Sequence, residues 1–245
     1  MKDFTDDTLL DGRVKLRQPT RGFRAAVDPV LLAAFVPALP GQHVLEAGCG
    51  SGAGFLCLAA RVPGIVITAI EQDGALAALA RDNAARNGLA KSVGVMVGDI
   101  TDRLFAATVG KYDHVFANPP YWPGGTPPPE ASRASATHEG PASLDAWVHF
   151  LAKSVARGGT VSLILPAARF DAGIEALRQD GCGGTVLLPI ASHAGKPARR
   201  ALLRAKQGSR SPATILPPLV LHTEGLGFSE AAQAVLRGSA ALANS

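Results

Sequence analysis

One pattern constrains this chain more than any other. Short apolar runs end in a glycine, a carboxylate or an asparagine, and helical segments follow them. Val44-Leu45 runs into Glu46-Ala47-Gly48. Ile65–Ile70 ends at Glu71, Val93–Val97 leads to Gly98-Asp99, and Tyr112–Ala117 leads to Asn118-Pro119-Pro120-Tyr121. Helices are predicted between them over Phe55–Val62 and over Gly74–Arg86, the latter closed by Asn87-Gly88. Continuously apolar strands alternating with helices indicate a parallel sheet covered on both faces. Such sheets bind ligands beyond the carboxyl ends of their strands, where the strand order reverses. Glu46, Gly48, Glu71, Asp99 and Asn118 are therefore expected around one crevice.

The rest of the chain extends this α/β plan. Leu9-Leu10 and Val14–Leu16 flank Asp11-Gly12 as a small N-terminal hairpin, and Asp28-Pro29 reads as an N-cap and first helical residue of a helix through Phe35. After the tetrapeptide, residues 122–142 form a loop of roughly 20 residues rich in Pro, Gly, Ser and Ala, longer than ordinary connections. A helix over Leu144–Ala156 stops at Gly158-Gly159, and strands follow over Val161–Leu165, Thr185–Ile190 and Ala201–Ala205, with a helix over Arg169–Gln179. The last of these strands can return beside its predecessor as an antiparallel hairpin. Leu219–His222 reads as an edge strand and Ser229 as the cap of a final helix, Glu230–Arg237. The expected fold is a doubly wound, mostly parallel seven-stranded sheet. Residues 1–27 are expected as an extension and 28–245 as the main domain.

Composition narrows the partners. Hydrophobic residues make up 47% and charged residues 18% of 245, which is globular. Without 18 consecutive apolar residues no membrane span is expected, and Met1–Asp7 has no apolar signal region, so cytoplasm is the default. Cys49, Cys57 and Cys182 lack metal spacing and read as reduced thiols; no metal is expected, and a monomer is the default. The net charge is only +4, yet Gly12–Val27 carries Arg13, Lys15, Arg17, Arg21 and Arg24 without an acid. Between Asp180 and Glu224 stand Lys196, Arg199, Arg200, Arg204, Lys206 and Arg210, again without an acid. One-signed segments favour a polyanionic partner.

The glycine turn alone leaves the cofactor open. Gly48, Gly50 and Gly52 let a ligand approach the backbone, and Gly48-x-Gly50-x-x-Ala53 with Glu71 about 20 residues on suits a nicotinamide dinucleotide as well as S-adenosylmethionine. Glu71 can accept from both hydroxyls of a ribose, and Asp99 from an adenine amino group. Asn118-Pro119-Pro120-Tyr121 separates the two. The prolines fix the backbone so that the Asn118 side-chain oxygen and the Pro119 carbonyl converge on one point, and Tyr121 can stack on a planar group. Two acceptors suit a conjugated NH₂. Gripping both its hydrogens favours a pyramidal nitrogen with a localised lone pair, which serves alkyl transfer and not hydride transfer.

On these residues the chain resembles the class I S-adenosylmethionine-dependent methyltransferases that act on amino groups. Gly22–Asp28, Val44–Gly52, Asn118–Tyr121 and Lys196–Leu203 most resemble the bacterial valine-tRNA adenine-N6-methyltransferase family. The resemblance implies a Rossmann-like domain that transfers a methyl group to N6 of an adenine in tRNA by in-line displacement, yielding S-adenosylhomocysteine. It implies that Gly48, Gly50 and Gly52 approach the methionine part of the cofactor, that Glu71 holds the ribose and Asp99 the adenine, and that Arg24 and Asp28 meet the methionine end. Val27 stands where the family commonly has Thr. Asn118, Pro119 and Tyr121 form the catalytic set. Tyr121, Trp122 and Arg133 are expected near the substrate, and Arg200, Arg204 and Lys206 share one strand face that can meet phosphates. Protein-glutamine N5 and guanine-N2 methylation stay open, because those substrates also offer a planar NH₂. A non-catalytic RNA-interaction module that binds the same cofactor stays open too. His114 is expected to be packed, and His138 with Glu139 is not expected to hold a metal.

Overall fold

The computed structural model describes residues 4–21, 24–120, 142–225 and 227–242. The chain opens with an antiparallel hairpin, β1 (Phe4–Leu9) and β2 (Val14–Pro19). Its turn places Leu10, Asp11 and Gly12 at positive φ, and only the glycine takes that conformation freely. Then come α1 (Val27–Phe35), β3 (His43–Ala47), α2 (Ala53–Arg61), β4 (Val66–Glu71), α3 (Gly74–Arg86), β5 (Val93–Val97), α4 (Arg103–Thr108) and β6 (Tyr112–Ala117). The second half holds α5 (Leu144–Ser154), β7 (Val155–Pro166), α6 (Phe170–Gln179), β8 (Cys182–Ala191), β9 (Ala198–Gln207), β10 (Thr214–Ile215), β11 (Leu219–Val220) and α7 (Glu230–Leu236).

The main sheet runs β10-β8-β9-β7-β6-β3-β4-β5, with β11 also on β8. Only β9 is antiparallel to its neighbours, and it lies between β7 and β8. The seven longer strands are those expected; β10 and β11, two residues each, widen the sheet to nine. The order reverses between β3 and β6, so the crevice opens above Ala47 and Ala117. Two apolar cores cover the sheet. One joins Phe35, Phe55 and Leu58 to the hairpin residues Leu10, Val14 and Leu16. The other joins Val115, Val148, Leu151 and Leu177.

Several boundaries differ from expectation. Ala26, not Asp28, caps α1, which puts Asp28 and Pro29 inside its first turn. Strand β7 begins at Val155, directly after α5, and takes in Gly158-Gly159 as an irregular stretch between the pairings of Tyr112 and His114. A side chain at Gly159 would lie 2.3 Å from the Asp113 carbonyl, so the glycine serves a close strand approach, not a helix stop. Helix α4 was not expected; Asp102 caps it by accepting from the Leu104 and Phe105 amides.

The hairpin is bound tightly to α3. Asn83 accepts from the Arg17 amide at 2.9 Å and donates to the Arg17 and Ser51 carbonyls at 2.8 and 2.9 Å. Asn87, one turn on, pairs with both backbone groups of Lys15. Two side-chain amides thus pair with the free edge of β2 as another strand would, and Asn83 also ties down the glycine turn.

His114 is packed, as expected. The Leu39 amide donates to Gln42 Oε1, which fixes that oxygen as an acceptor; His114 Nε2 then donates to it at 2.9 Å, and Nδ1 accepts from Thr160 Oγ1 at 2.8 Å. Burial lowers the His114 pKa, with the Asp113 charge opposing. A lowered folded-state pKa contributes stability above the unfolded value of about 6.5, and that stability is lost as pH falls through the folded value. Between pH 7.5 and 5, the thermal midpoint of the wild type is expected to drop further than that of His114→Gln, read by calorimetry.

Candidate active site

A cavity of about 590 Å³ lies at the reversal point. The glycine turn forms one wall. It crosses the end of β4, where the Gly48 and Cys49 amides donate to the Ile70 carbonyl at 2.8 and 3.0 Å. The three glycines answer different demands. Gly50, at φ +54°, has nothing within 4 Å of where a side chain would begin, so its bare face opens onto free space. At Gly48 (φ +68°) a side chain would lie 2.6 Å from the Trp147 ring. Gly52 caps α2 at φ +96°, where a side chain would strike Phe55 at 2.5 Å; it is absent from the cavity wall. Gly48→Ala is accordingly expected to weaken S-adenosylhomocysteine binding at least tenfold in calorimetric titration, because Trp147 must move and the backbone is strained.

Two carboxylates brace the turn. Glu71, 8% exposed, accepts from the Gly50 amide on Oε2 at 2.8 Å and from the Asp73 amide on Oε1 at 3.0 Å. Each oxygen keeps a second lone pair, so a vicinal diol can still bind. Glu46, 5% exposed, accepts from the Phe55 amide at 2.8 Å, and a side chain at Gly54 would lie 2.1 Å from its other oxygen. Burial raises the Glu46 pKa well above the usual carboxylate range; the Phe55 amide opposes this, and the Glu71 charge adds to it. Cys49 is buried beside them, and desolvation raises its pKa strongly, so it remains a protonated, unreactive thiol.

Asn118 also lines the cavity, with Pro119 and Pro120. Its Oδ1 is buried and has no hydrogen-bond partner among the described residues. Trp147 of α5 lies against the same cavity, and its Nε1 is likewise buried without a partner among the described residues. A mixed cavity with an unused acceptor, an unused donor, a bare glycine backbone and a buried strand-end carboxylate fits a nucleoside cofactor and an amino-bearing substrate.

Other expected residues lie elsewhere. Asp99 stands between the lining residues Gly98 and Ile100 but spends Oδ1 on the Thr101 amide and hydroxyl. Arg24 does not reach the cavity; it donates to Asp7, Thr5 and the Pro19 carbonyl and so locks the hairpin. Asp28 pairs with Arg200 Nε at 2.9 Å, joining α1 to β9. Arg21, which sequence reasoning did not single out, lines the cavity instead, as do Pro19 and Ala25. Trp147 was missed too, because a tryptophan within an amphipathic helix reads as core.

The β9 set is also rearranged. Arg204 is half-buried in β9 and packs against α1, so it does not meet phosphate from an open face. Its guanidinium sits 4.7 Å above the Phe35 ring and donates to the Phe35 carbonyl at 3.1 Å, and burial lowers its pKa. Lys206 pairs in register with Thr160, level with His114, below the crevice edge. Tyr121, Trp122, Arg133, His138 and Glu139 lie outside the described residues. No metal-binding group and no helix long and apolar enough to cross a membrane occur among the described residues.

Comparison with known proteins gives the family and the fold. Residues 26–133 match the model of the methyltransferase small domain family. The tRNA1(Val) (adenine(37)-N6)-methyltransferase of Dickeya chrysanthemi is 28% identical over 219 residues, covering 87% of this chain and 86% of that one. The enzyme of the same name from Shewanella amazonensis is 32% identical over 191 residues, covering 78% and 81%. Among solved structures, a predicted O-methyltransferase from Agrobacterium tumefaciens superposes with a TM-score of 0.73 at 25% identity, covering 87% of this chain and 97% of that one. The Thermus thermophilus 16S rRNA N2 G1207 methyltransferase, solved with AdoMet and guanosine, shares the fold with a TM-score of 0.59 at 19% identity, covering 83% and 50%. The chain therefore belongs to the tRNA1(Val) (adenine(37)-N6)-methyltransferase family and is an S-adenosylmethionine-dependent methyltransferase.

Proposed function

We propose that this enzyme methylates N6 of an adenine in tRNA, and that its substrate is the one named for its relatives, adenine 37 of tRNA1(Val). The observation that carries the reading is the buried, unpartnered Oδ1 of Asn118 in the cavity wall. A buried acceptor without a partner costs about 1–3 kcal/mol, and an amino group delivered there removes that cost. When bound, S-adenosylmethionine supplies a methyl group on a positive sulfur, which leaves as S-adenosylhomocysteine. Glu71 and the Gly48–Gly50 backbone would hold it, with Arg21 the cation nearest at hand for its carboxylate in place of Arg24. Asp99 would serve the adenine ring through its free oxygen.

Asn118 Oδ1 and the Pro119 carbonyl would grip the two amino hydrogens and keep the nitrogen lone pair aimed at the methyl group. Orientation of this kind can supply roughly 7–11 kcal/mol of barrier lowering at best. No strong base is needed, because the nitrogen proton becomes acidic once the methyl is attached, and water can take it. The target adenine must leave its stack, at a cost of a few kcal/mol, and stacking on Tyr121 would return about 1–3. Residues 1–27 would act as an accessory rim of the domain formed by 28–245, since Pro19 and Arg21 line the cavity. The cytoplasm is the compartment this substrate implies.

The test is direct. Incubation with labelled S-adenosylmethionine and separate pools of cellular RNA, DNA and protein should label the RNA, within its tRNA fraction. Label confined to protein would replace this reading with glutamine methylation.

A further inference from the structure

A second cavity, also about 590 Å³, lies at the same edge of the sheet and is separate from the first. It is built by two parallel segments that run past the sheet. Beyond β8, Ser192 and His193 enter the turn to β9; beyond β11, the Leu221 and His222 amides donate to the carbonyls of Ala191 and Ser192 at 2.9 Å. The turn lines the cavity with Lys196, Pro197, Ala198 and Arg199. His193 and His222 stand with ring centroids 5.5 Å apart, and His222 stacks on Phe228 at 4.9 Å. His222 Nδ1 is buried with no hydrogen-bond partner among the described residues, so stacking and the backbone hold this ring there.

Lys196 and Arg199 are exposed, and no ion pair is found for either among the described residues. No acid lines the cavity among the described residues, and Glu224 is exposed beside the lining residue Gly225. The cavity thus combines two available cations with an aromatic wall. Rows of cations beside stacking rings are how proteins hold single-stranded nucleic acid. Strand β8 lies three strand spacings from β6, roughly 14 Å, which neighbouring nucleotides of an unstacked loop can span.

We propose that this cavity is a second RNA subsite, in which Lys196 and Arg199 contact phosphates and the His193–His222 wall stacks on a base flanking the target. The assignment rests on RNA being the substrate. It moves the phosphate contacts from Arg204, which sits over Phe35, and from Lys206, which lies level with His114, to cations at the carboxyl edge of the sheet.

The experiment uses the full chain, S-adenosylmethionine and tRNA. In Lys196→Ala/Arg199→Ala the KM for tRNA should rise at least tenfold, and its logarithm should depend less steeply on log salt by about 1.5, the loss of two phosphate contacts. The dissociation constant for S-adenosylhomocysteine should not change. His193→Ala should raise the KM for tRNA at least about fivefold, and His193→Phe, which keeps a stacking ring, should restore it. An unchanged salt slope and KM in the double variant, or a His193→Ala enzyme equal to the wild type, overturns the subsite. Failure of the function itself reads differently: the wild type would then methylate no tRNA, while tRNA binding by the same variants still reports on the cavity.

Discussion

Asn118→Ala is expected to lower the single-turnover rate of methyl transfer by on the order of 10²- to 10³-fold, the loss typical when one preorganised hydrogen-bond group is removed from a reacting centre. The affinity for S-adenosylhomocysteine should change by less than about threefold. The split follows from the geometry. The Asn118 Oδ1 makes no hydrogen bond among the described residues, so truncation breaks no bond of that oxygen there. Pro119 and Pro120 keep the local backbone fixed without it. Asn118→Asp keeps an acceptor oxygen but brings a charge into a wall that already holds Glu46 and Glu71, and should be nearly as slow. Rapid-quench kinetics with calorimetric titration measures both quantities. A single-turnover rate equal to the wild type would remove Asn118 from the reaction.

Glu71→Ala is expected to fail in the opposite way. Both Glu71 oxygens hold backbone amides, so the variant strands the donors of Gly50 and Asp73 and loses the acceptors offered to the ribose. The stranded amides lower stability, whereas each lost ribose hydrogen bond to the carboxylate is worth about 1.5–3 kcal/mol, which places the loss of cofactor affinity at about a hundredfold or more. Glu71→Gln retains one acceptor oxygen and should fall between, near tenfold. Turnover at saturating cofactor should suffer far less than the dissociation constant. Titration calorimetry with S-adenosylhomocysteine decides it; wild-type affinity in Glu71→Ala would show that the carboxylate braces the turn without serving the ligand.

The crevice was legible in the sequence because its parts are local. Val44-Leu45, Ile67–Ile70 and Val115–Ala117 are apolar runs with abrupt ends, and a parallel sheet gathers such ends by topology alone. What escaped the sequence depends on contacts between distant segments. Arg24 lies close to the glycine turn in sequence logic, yet Asp7, seventeen residues earlier, captures its guanidinium. The alternation of β9 suggested a packed face and an open one. The strand is inserted between β7 and β8, however, so α1 covers the second face and Phe35 takes up Arg204. Gly158-Gly159 looked like punctuation, whereas the pair lets β7 approach Asp113. Trp147 is a cavity residue only because α5 crosses above Gly48.

The central claim is that the N6 amino group of an adenine in tRNA is presented to Asn118. It is tested most directly by methylating unmodified tRNA1(Val) with this enzyme, digesting the product to nucleosides and separating them by mass spectrometry. The account predicts one new N6-methyladenosine, located beside the anticodon and lost from Asn118→Ala. A methyl group on a ribose oxygen, or on guanine, would contradict it.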